Sequence, residues 1–538
     1  MMRKIFLGMA VLSFLFSSCE DYLEEENLSN VTGEEFYVTE TGFESLISAN
    51  YSQLREIYGG DALMFVAGTD LFAEGRDPAF IGLSRYTELN PQSEGVEHLY
   101  NTGYRAIQVA NMALHYAEIT EQTSQLDTRI GEIKYLRANA YFLLVQTYGG
   151  VGLVTDYISN PVLEFERDSA EAVYNFIISE LEESLNLVEE GAYNGRVNKR
   201  TVRHLLAKVY LTRGYEDFGD QSDFTTAANY ADEAIAGQEL TIPFEELWWP
   251  GNEENEEVIF SVQYDDSSVS PDLDNRGHNQ ANYYSSYLGG PEVAEDAPYR
   301  TSILSPTQFA IDLFTEDDAR WYATFMYEVF GRYYDYYDVE DHDALVVEHY
   351  YEPAWATSAA EKAAYIANHP EATYHEYGTY APFFNPSSDF STIPVRKFDD
   401  PTSPFGAGTS TRDIILSRLA ETYLIAAEAY LQAGDAATGL MRLNEVRERA
   451  GVEPAVLADF DIDFILDERA RELLGEYHRW FDLKRTGTLV ERAAAYHYLI
   501  EEGNFVGNGG ELKILRPIPQ SAIDLNQNQD FPQNPAYE

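Results

Sequence analysis

Cysteine is almost missing from this chain: Cys19 is the only one in 538 residues. No intramolecular disulfide can form, so the fold must be held by its core, and 45% apolar composition supplies one. Basic residues are scarce as well, 36 Lys and Arg against 91 Asp and Glu, a formal net charge of −55. A surface of that sign repels phosphate backbones and excludes nucleic acid as a partner. The apolar run from Ile5 to Phe16 is short of the roughly twenty residues a helix needs to span a bilayer, and no other stretch reaches that length. Also missing are an HExxH zinc pair, Cys/His ligand spacing, a GxSxG nucleophile turn and a phosphate-cradling glycine loop. The ten His are scattered. Carboxylate pairs are too abundant for counting to exclude a glycosidase dyad, but nothing singles one out.

What is present starts at the N-terminus. Arg3 and Lys4 precede the apolar run, and Ser17-Ser18-Cys19 follow it. Charge, short apolar core and small residues form a secretory signal, and small residues directly before a Cys resemble a bacterial lipobox. Phe16 stands where Leu is usual. The alternative is an ordinary cleaved signal with a stray thiol. The lipobox reading predicts that residues 1–18 are removed, that Cys19 is acylated and that the body is held by its lipid anchor. Without Arg3 and Lys4 the net charge becomes −57. Several acyl chains hold far more firmly than one, each buried methylene adding about 0.8 kcal/mol. The acidic stretch Glu20 to Glu26 makes residues 19–40 an extended tether.

From Thr41 the apolar period is helical. The spacing predicts helices at 41–58, 99–120, 130–148, 168–190, 199–214 and 224–237, and again at 412–433, 436–450, 462–475 and 476–490. A small-x-small-Tyr pattern recurs at Ala138-Asn139-Ala140-Tyr141, Ala207-Lys208-Val209-Tyr210 and Ala427-Glu428-Ala429-Tyr430. The last runs into Gly434-Asp435 and resembles the helix end and turn of a tetratricopeptide repeat; Ala227, Ala231 and Ala234 line a following helix. Residues 240–410 differ, being rich in Tyr, Asp, Gly and Pro with short β-like runs such as Val258 to Val262. The expected fold is mostly α: degenerate tetratricopeptide-like helical repeats with an irregular, loop-rich insert carrying short β-hairpins. The expected divisions are 41–239 (N-terminal repeats), 240–410 (irregular region) and 411–538 (C-terminal repeats and a closing segment).

Three runs are recognisable together. Arg137 to Val154 reads RANAYFLLVQTYGGVGLV. Asp467 to Leu473 and Arg479 to Arg485 read DERAREL and RWFDLKR. Pro517-Ile518-Pro519 with Asn526, Asn528 and Gln533-Asn534-Pro535 closes the chain. They resemble the signatures of the SusD/RagB family in the right order from Cys19 to the C-terminus, with Gly152 where the family usually has Pro. Glu20 to Glu26 likewise resembles the acidic signal that sends lipoproteins of Bacteroidetes-type bacteria to the outer face of the outer membrane. The resemblance implies a surface lipoprotein without catalytic activity. Such a protein captures a nutrient, usually an oligo- or polysaccharide, and passes it to a TonB-dependent outer-membrane transporter. Peptide capture, as in some family members, or a repeat scaffold without a small ligand are the alternatives.

Tyr numbers 40, and flat rings suit the apolar faces of pyranoses at low entropic cost. Tyr283, Tyr284 and Tyr287, before Gly289-Gly290, are the expected stacking platform. Asp70 and Arg76, in a polar loop after an apolar run, are the expected polar contacts, with Tyr86 as a nearby ring. Trp248-Trp249-Pro250 is expected to pack rather than bind. Tyr333 to Asp341 could be an exposed loop or a β-ribbon whose carboxylates suit calcium. Its spacing is not that of an EF-hand loop, and Asp272-x-Asp274-x-Arg276-Gly277 fails at its third ligand, so no cofactor is expected.

Overall fold

The computed structural model describes residues 32–60, 62–75, 79–265, 277–284, 303–332, 335–356, 358–380, 391–403, 409–528 and 530–538. Cys19, Arg76 and Tyr287 lie outside them, as does most of the expected tether. Where that tether is described it is helical. Helix α1 (Gly33–Phe36) is closed by a capping box, in which the Thr32 hydroxyl accepts from the Glu35 amide and the Glu35 carboxylate from the Thr32 amide. Helix α2 (Glu40–Tyr58) follows directly.

The N-terminal half is built on helices α4 (Val96–Ala117), α5 (Leu126–Tyr148), α6 (Ala170–Leu187), α7 (Lys199–Arg213) and α8 (Gln221–Ile235), preceded by short β1 (Phe72–Glu74) and α3 (Ile81–Arg85). Helix α2 packs on α4, α4 on α5, α5 on α6 and α7 on α8. Helix α5 is buried on every side from Tyr135 to Tyr148, which makes it the axis of this half. The alanines let backbones approach: Ala138, Ala140, Ala227 and Ala231 are buried.

Among the described residues between α8 and the C-terminal helices the longest element is α14 (Ala359–Asn368). The rest is α9 (Phe244–Leu247), β2 (Val258–Val262), α10 (Gln280–Tyr284), β3 (Leu304–Pro306), α11 (Gln308–Asp312), α12 (Ala319–Thr324), β4 (Glu328–Phe330), α13 (Asp335–Asp338), β5 (Val347–Tyr351), β6 (Thr373–His375) and β7 (Ile414–Arg418). Strands β1 and β3 pair antiparallel, as do β2 and β7; β4, β5 and β6 form a small sheet whose β5–β6 pair is parallel.

Helix α15 (Leu419–Ala433) packs against both α8 and its own partner α16 (Ala436–Ala450). The second set of repeats therefore continues the first, and the irregular region is looped out of the stack. Ala207, Leu211, Phe224 and Ala228 share one apolar cluster with Leu424, Ala427 and Leu443. Helices α17 (Ile462–Glu472), α18 (Arg479–Arg485), α19 (Leu489–Tyr496) and the short α20 (Gln520–Leu525) complete the chain.

Two expected helices are corrected. Residues 412–433 begin as strand β7, because Ile414-Ile415-Leu416 is a short continuous apolar run that can serve either state and finds β2 as a partner. Residues 476–490 break into α18 and α19. Tyr477 takes a left-handed φ of 66° and Gly487 one of 72°, so the chain turns at both points.

The three signatures are structural. Arg137 is buried, forks Glu180 and also donates to Asn111 (2.7 Å), tying α4, α5 and α6 together. Tyr141 donates to the Val154 carbonyl (3.0 Å) and Tyr148 to that of Val96 (2.6 Å). Asn534 of the closing segment donates to the Tyr148 carbonyl (3.1 Å). In α17, Glu468 and Glu472 hold Arg320 of the irregular region (2.7 and 3.2 Å), and Glu472 also takes Arg418 (2.6 Å). These fully buried carboxylates clamp the insert to the repeats; removing one partner would strand a buried charge.

Candidate functional site

Four of the expected ligand contacts are interior groups. Asp70 is wholly buried. Its carboxylate takes both arms of Arg479 (2.7 and 2.5 Å) and Nε of Arg492 (3.0 Å). Burial alone would raise its pKa, but the two guanidiniums outweigh it and hold the carboxyl below its usual range. Tyr86 donates to the Gly68 carbonyl (2.9 Å) and accepts from the Trp480 indole (3.2 Å), with its ring against Phe505 and under Arg516. Tyr283 donates to the Gly60 carbonyl and accepts from the Ala62 amide. Tyr284 donates to the Gly475 carbonyl (3.1 Å), and its ring lies between Phe72 and Phe398. These rings leave no face to solvent, so Asp70, Tyr86, Tyr283 and Tyr284 are corrected from ligand contacts to core. The polar loop and the Tyr-Tyr pair carried the right residue types, but their polar atoms serve buried backbone and buried arginine. Arg76 and Tyr287 are outside the described residues.

An aromatic shelf does reach the surface, on residues expected to pack. Trp248 is buried against Phe398 with Lys397 above its ring. The next residue, Trp249, is 37% exposed. It stands at the end of α9 where Pro250-Gly251 turns the chain, and Gly251 has a left-handed φ of 89°. Its indole meets Tyr336 at 5.8 Å and Tyr337 at 5.4 Å between ring centroids, both on α13. The ring of Tyr336 is a buttress: His342 stacks on it at 4.2 Å and the Arg396 guanidinium lies over it at 3.9 Å. The open ring of the shelf is therefore Trp249.

The polar groups around the shelf are fixed. Arg396 donates to Glu245 (3.0 Å) and to the Tyr322 carbonyl. The Tyr336 hydroxyl donates to Glu245 as well. Burial pushes the Tyr336 phenol up to about 12, against the pull of Arg396, so at neutral pH it is a donor. Arg332 is shared by Asp335 (3.3 Å) and Asp338 (3.0 Å). A flat indole edged by carboxylate acceptors is the arrangement that receives an apolar face carrying hydroxyls on its rim. The signal that could have found it is Trp-Pro-Gly: a Trp at a tight surface turn has little core to enter. Arg396 and Glu245 gave none, since they meet Tyr336 only in space.

A second surface feature lies on the helical side. An apolar groove of about 520 Å³ runs between α4, the 152–165 segment and α20, with Tyr104, Ile107, Leu163, Leu525 and Phe531 in its walls. Leu525 is 78% exposed. The depression beside it shares α4 and the 152–165 segment and is lined by Thr32 and Gly33, where the described chain begins. Among the described residues, no group of three or more His, Cys, Asp or Glu is placed to hold a metal ion, and no helix is long and apolar enough to cross a membrane.

The architecture defines the class, a helical-repeat protein with an irregular insert clamped to its repeats. A family model described as "SusD family" matches residues 256–537, and one described as "Starch-binding associating with outer membrane" matches residues 21–211. The chain belongs to the SusD family. A SusD-like protein of Bacteroides ovatus is 24% identical over 510 residues, covering 90% of this chain and 82% of that one. The starch-binding protein SusD of Bacteroides thetaiotaomicron is 26% identical over 468 residues, covering 84% and 80%. Among solved structures, surface glycan-binding protein A of Bacteroides thetaiotaomicron in complex with laminarihexaose superposes with a TM-score of 0.69 at 20% identity, covering 92% of this chain and 99% of that one.

Proposed function

We propose that this protein is a cell-surface lipoprotein, anchored through Cys19, that captures a polysaccharide or its oligosaccharides without cleaving them. The observation that carries the reading is the exposed Trp249 ring with its fixed carboxylate edge, on a chain of a family with starch- and laminarihexaose-binding relatives. Stacking on one aromatic ring contributes about 1 kcal/mol beyond area burial, by analogy with aromatic pairs. Trp249→Ala should therefore weaken glycan binding about tenfold once the lost contact area is included. Calorimetric titration beside the melting temperature checks this. Unchanged affinity with unchanged stability would remove the shelf from the site.

The captured chain is handed to a TonB-dependent transporter, which docks on the apolar groove beside α4. Thirteen Cα–Cα steps lead from Cys19 to Thr32, a reach of at most about 45 Å when extended. The groove adjoins the point where that segment joins the body, so it stays near the membrane that holds the transporter. Leu163→Asp with Leu525→Asp should abolish co-purification of the transporter and leave glycan binding intact.

A further inference from the structure

We infer that the Trp249 shelf accepts neutral sugar chains and rejects uronate-bearing and sulfated ones. The inference rests on the glycan reading above and names the ligand class of that site. Recognition of a carboxylate or sulfate needs a guanidinium or ammonium free to form charge-assisted hydrogen bonds. The guanidiniums described about the shelf are engaged, Arg412 by Glu253 and the Trp248 and Asp399 carbonyls. Arg396 lies over the Tyr336 ring and is bound by Glu245 and the Tyr322 carbonyl. Arg332 is held between Asp335 and Asp338. Turning any of them toward an anionic ligand would abandon a carboxylate already in place.

The rim has the opposite sign. Glu246, whose carbonyl accepts from the Trp249 amide, is exposed, and so are Glu340, Asp341 and Asp343 on the segment that carries Tyr336 and His342. Each of these exposed like charges opposes an anionic ligand, and the opposition is strongest in low salt. A neutral polyol carries no charge for this rim to repel.

The test uses the full chain in mild detergent on an array of neutral, uronate-bearing, sulfated and amine-bearing glycans, read in low salt and in 0.5 M salt. Hits are expected among neutral members and not among uronate-bearing or sulfated ones; the neutral hits should show little salt dependence and should disappear in Trp249→Ala. For a neutral hit, oxidising its C6 hydroxymethyl groups to carboxylates should weaken binding at least about tenfold in low salt. Glu340→Gln with Asp343→Asn, which removes rim charge without freeing Arg332, should recover most of that loss while changing the neutral ligand less than about twofold. Hits confined to anionic or amine-bearing members would overturn the inference and leave glycan capture standing. Neutral hits that survive Trp249→Ala would overturn this site for them. An array without any hit would overturn both the inference and the reading beneath it.

Discussion

Replacing Asp70 by Asn separates a core role from a ligand role at one atom. The carboxylate joins the segment before β1 to α18 and α19 across more than four hundred residues of sequence, through Arg479 and Arg492. The amide keeps the shape but removes the charge. Arg492 retains Asp463 (2.9 Å) and Asp467, whereas Arg479, 5% exposed at its side chain, keeps only the Leu466 carbonyl (2.7 Å). Breaking one partner from a buried pair costs about 3–5 kcal/mol; with Arg492 still neutralised the loss should sit near about 3 kcal/mol. Urea unfolding should show the midpoint falling with an unchanged slope, and Asp70→Asn combined with Arg479→Leu should cost less than the sum of the singles. Glycan affinity of the folded variant should match the wild type. Stability within about 0.5 kcal/mol of wild type, together with lost glycan affinity, would refute the assignment to the core. The sign with pH follows from the lowered pKa. The stabilisation is complete above the ordinary aspartate range near about 4 and is lost as pH falls through the lower folded value. Asp482, held at about 2 by Arg469 and Arg485 against its burial, adds to the same acid loss.

Other outcomes are expected. Cys19→Ala should escape lipid labelling and leave the membrane fraction; unchanged retention would exclude the lipid anchor. Arg396→Leu should lower stability by about 1 kcal/mol through the lost cation–π contact over Tyr336, and should change the near-ultraviolet dichroism of the shelf; an unchanged spectrum would show that Arg396 does not set Tyr336. His349 on β5 and His375 on β6 meet at 3.0 Å between ring nitrogens, and burial holds each at about 4. Between about pH 6.5 and 4 the unfolded chain binds more protons than the folded one, so stability should fall as pH falls through that window and level off below it. Amide exchange in β5 and β6 should quicken at pH 4.5, less so in a variant with both His replaced by Asn.

The helical half was legible because its signals are local. Period, alanine spacing and Gly434 at a left-handed φ of 89° after α15 depend on neighbours three and four residues away, and the helices fall within a few residues of where the spacing puts them. Strand β7 was not legible, since an apolar run of three becomes a strand only when β2 lies beside it. The site residues show the same division. Asp70 and Tyr284 have the composition of a binding loop, and nothing within ten residues of either reveals Arg479 or Gly475.

Charge, the single thiol, the repeat period and the family signatures were thus set by the sequence itself, because each is a property of residue identity and near spacing. Which aromatic rings are sealed and which face water was decided only by tertiary packing. Trp248 and Trp249 are adjacent and chemically identical, yet the first faces Phe398 and the second faces solvent across a turn. Burial is a property of what arrives from the rest of the chain, and the groups that arrive here, Arg396, Phe398 and Tyr336, come from far along it.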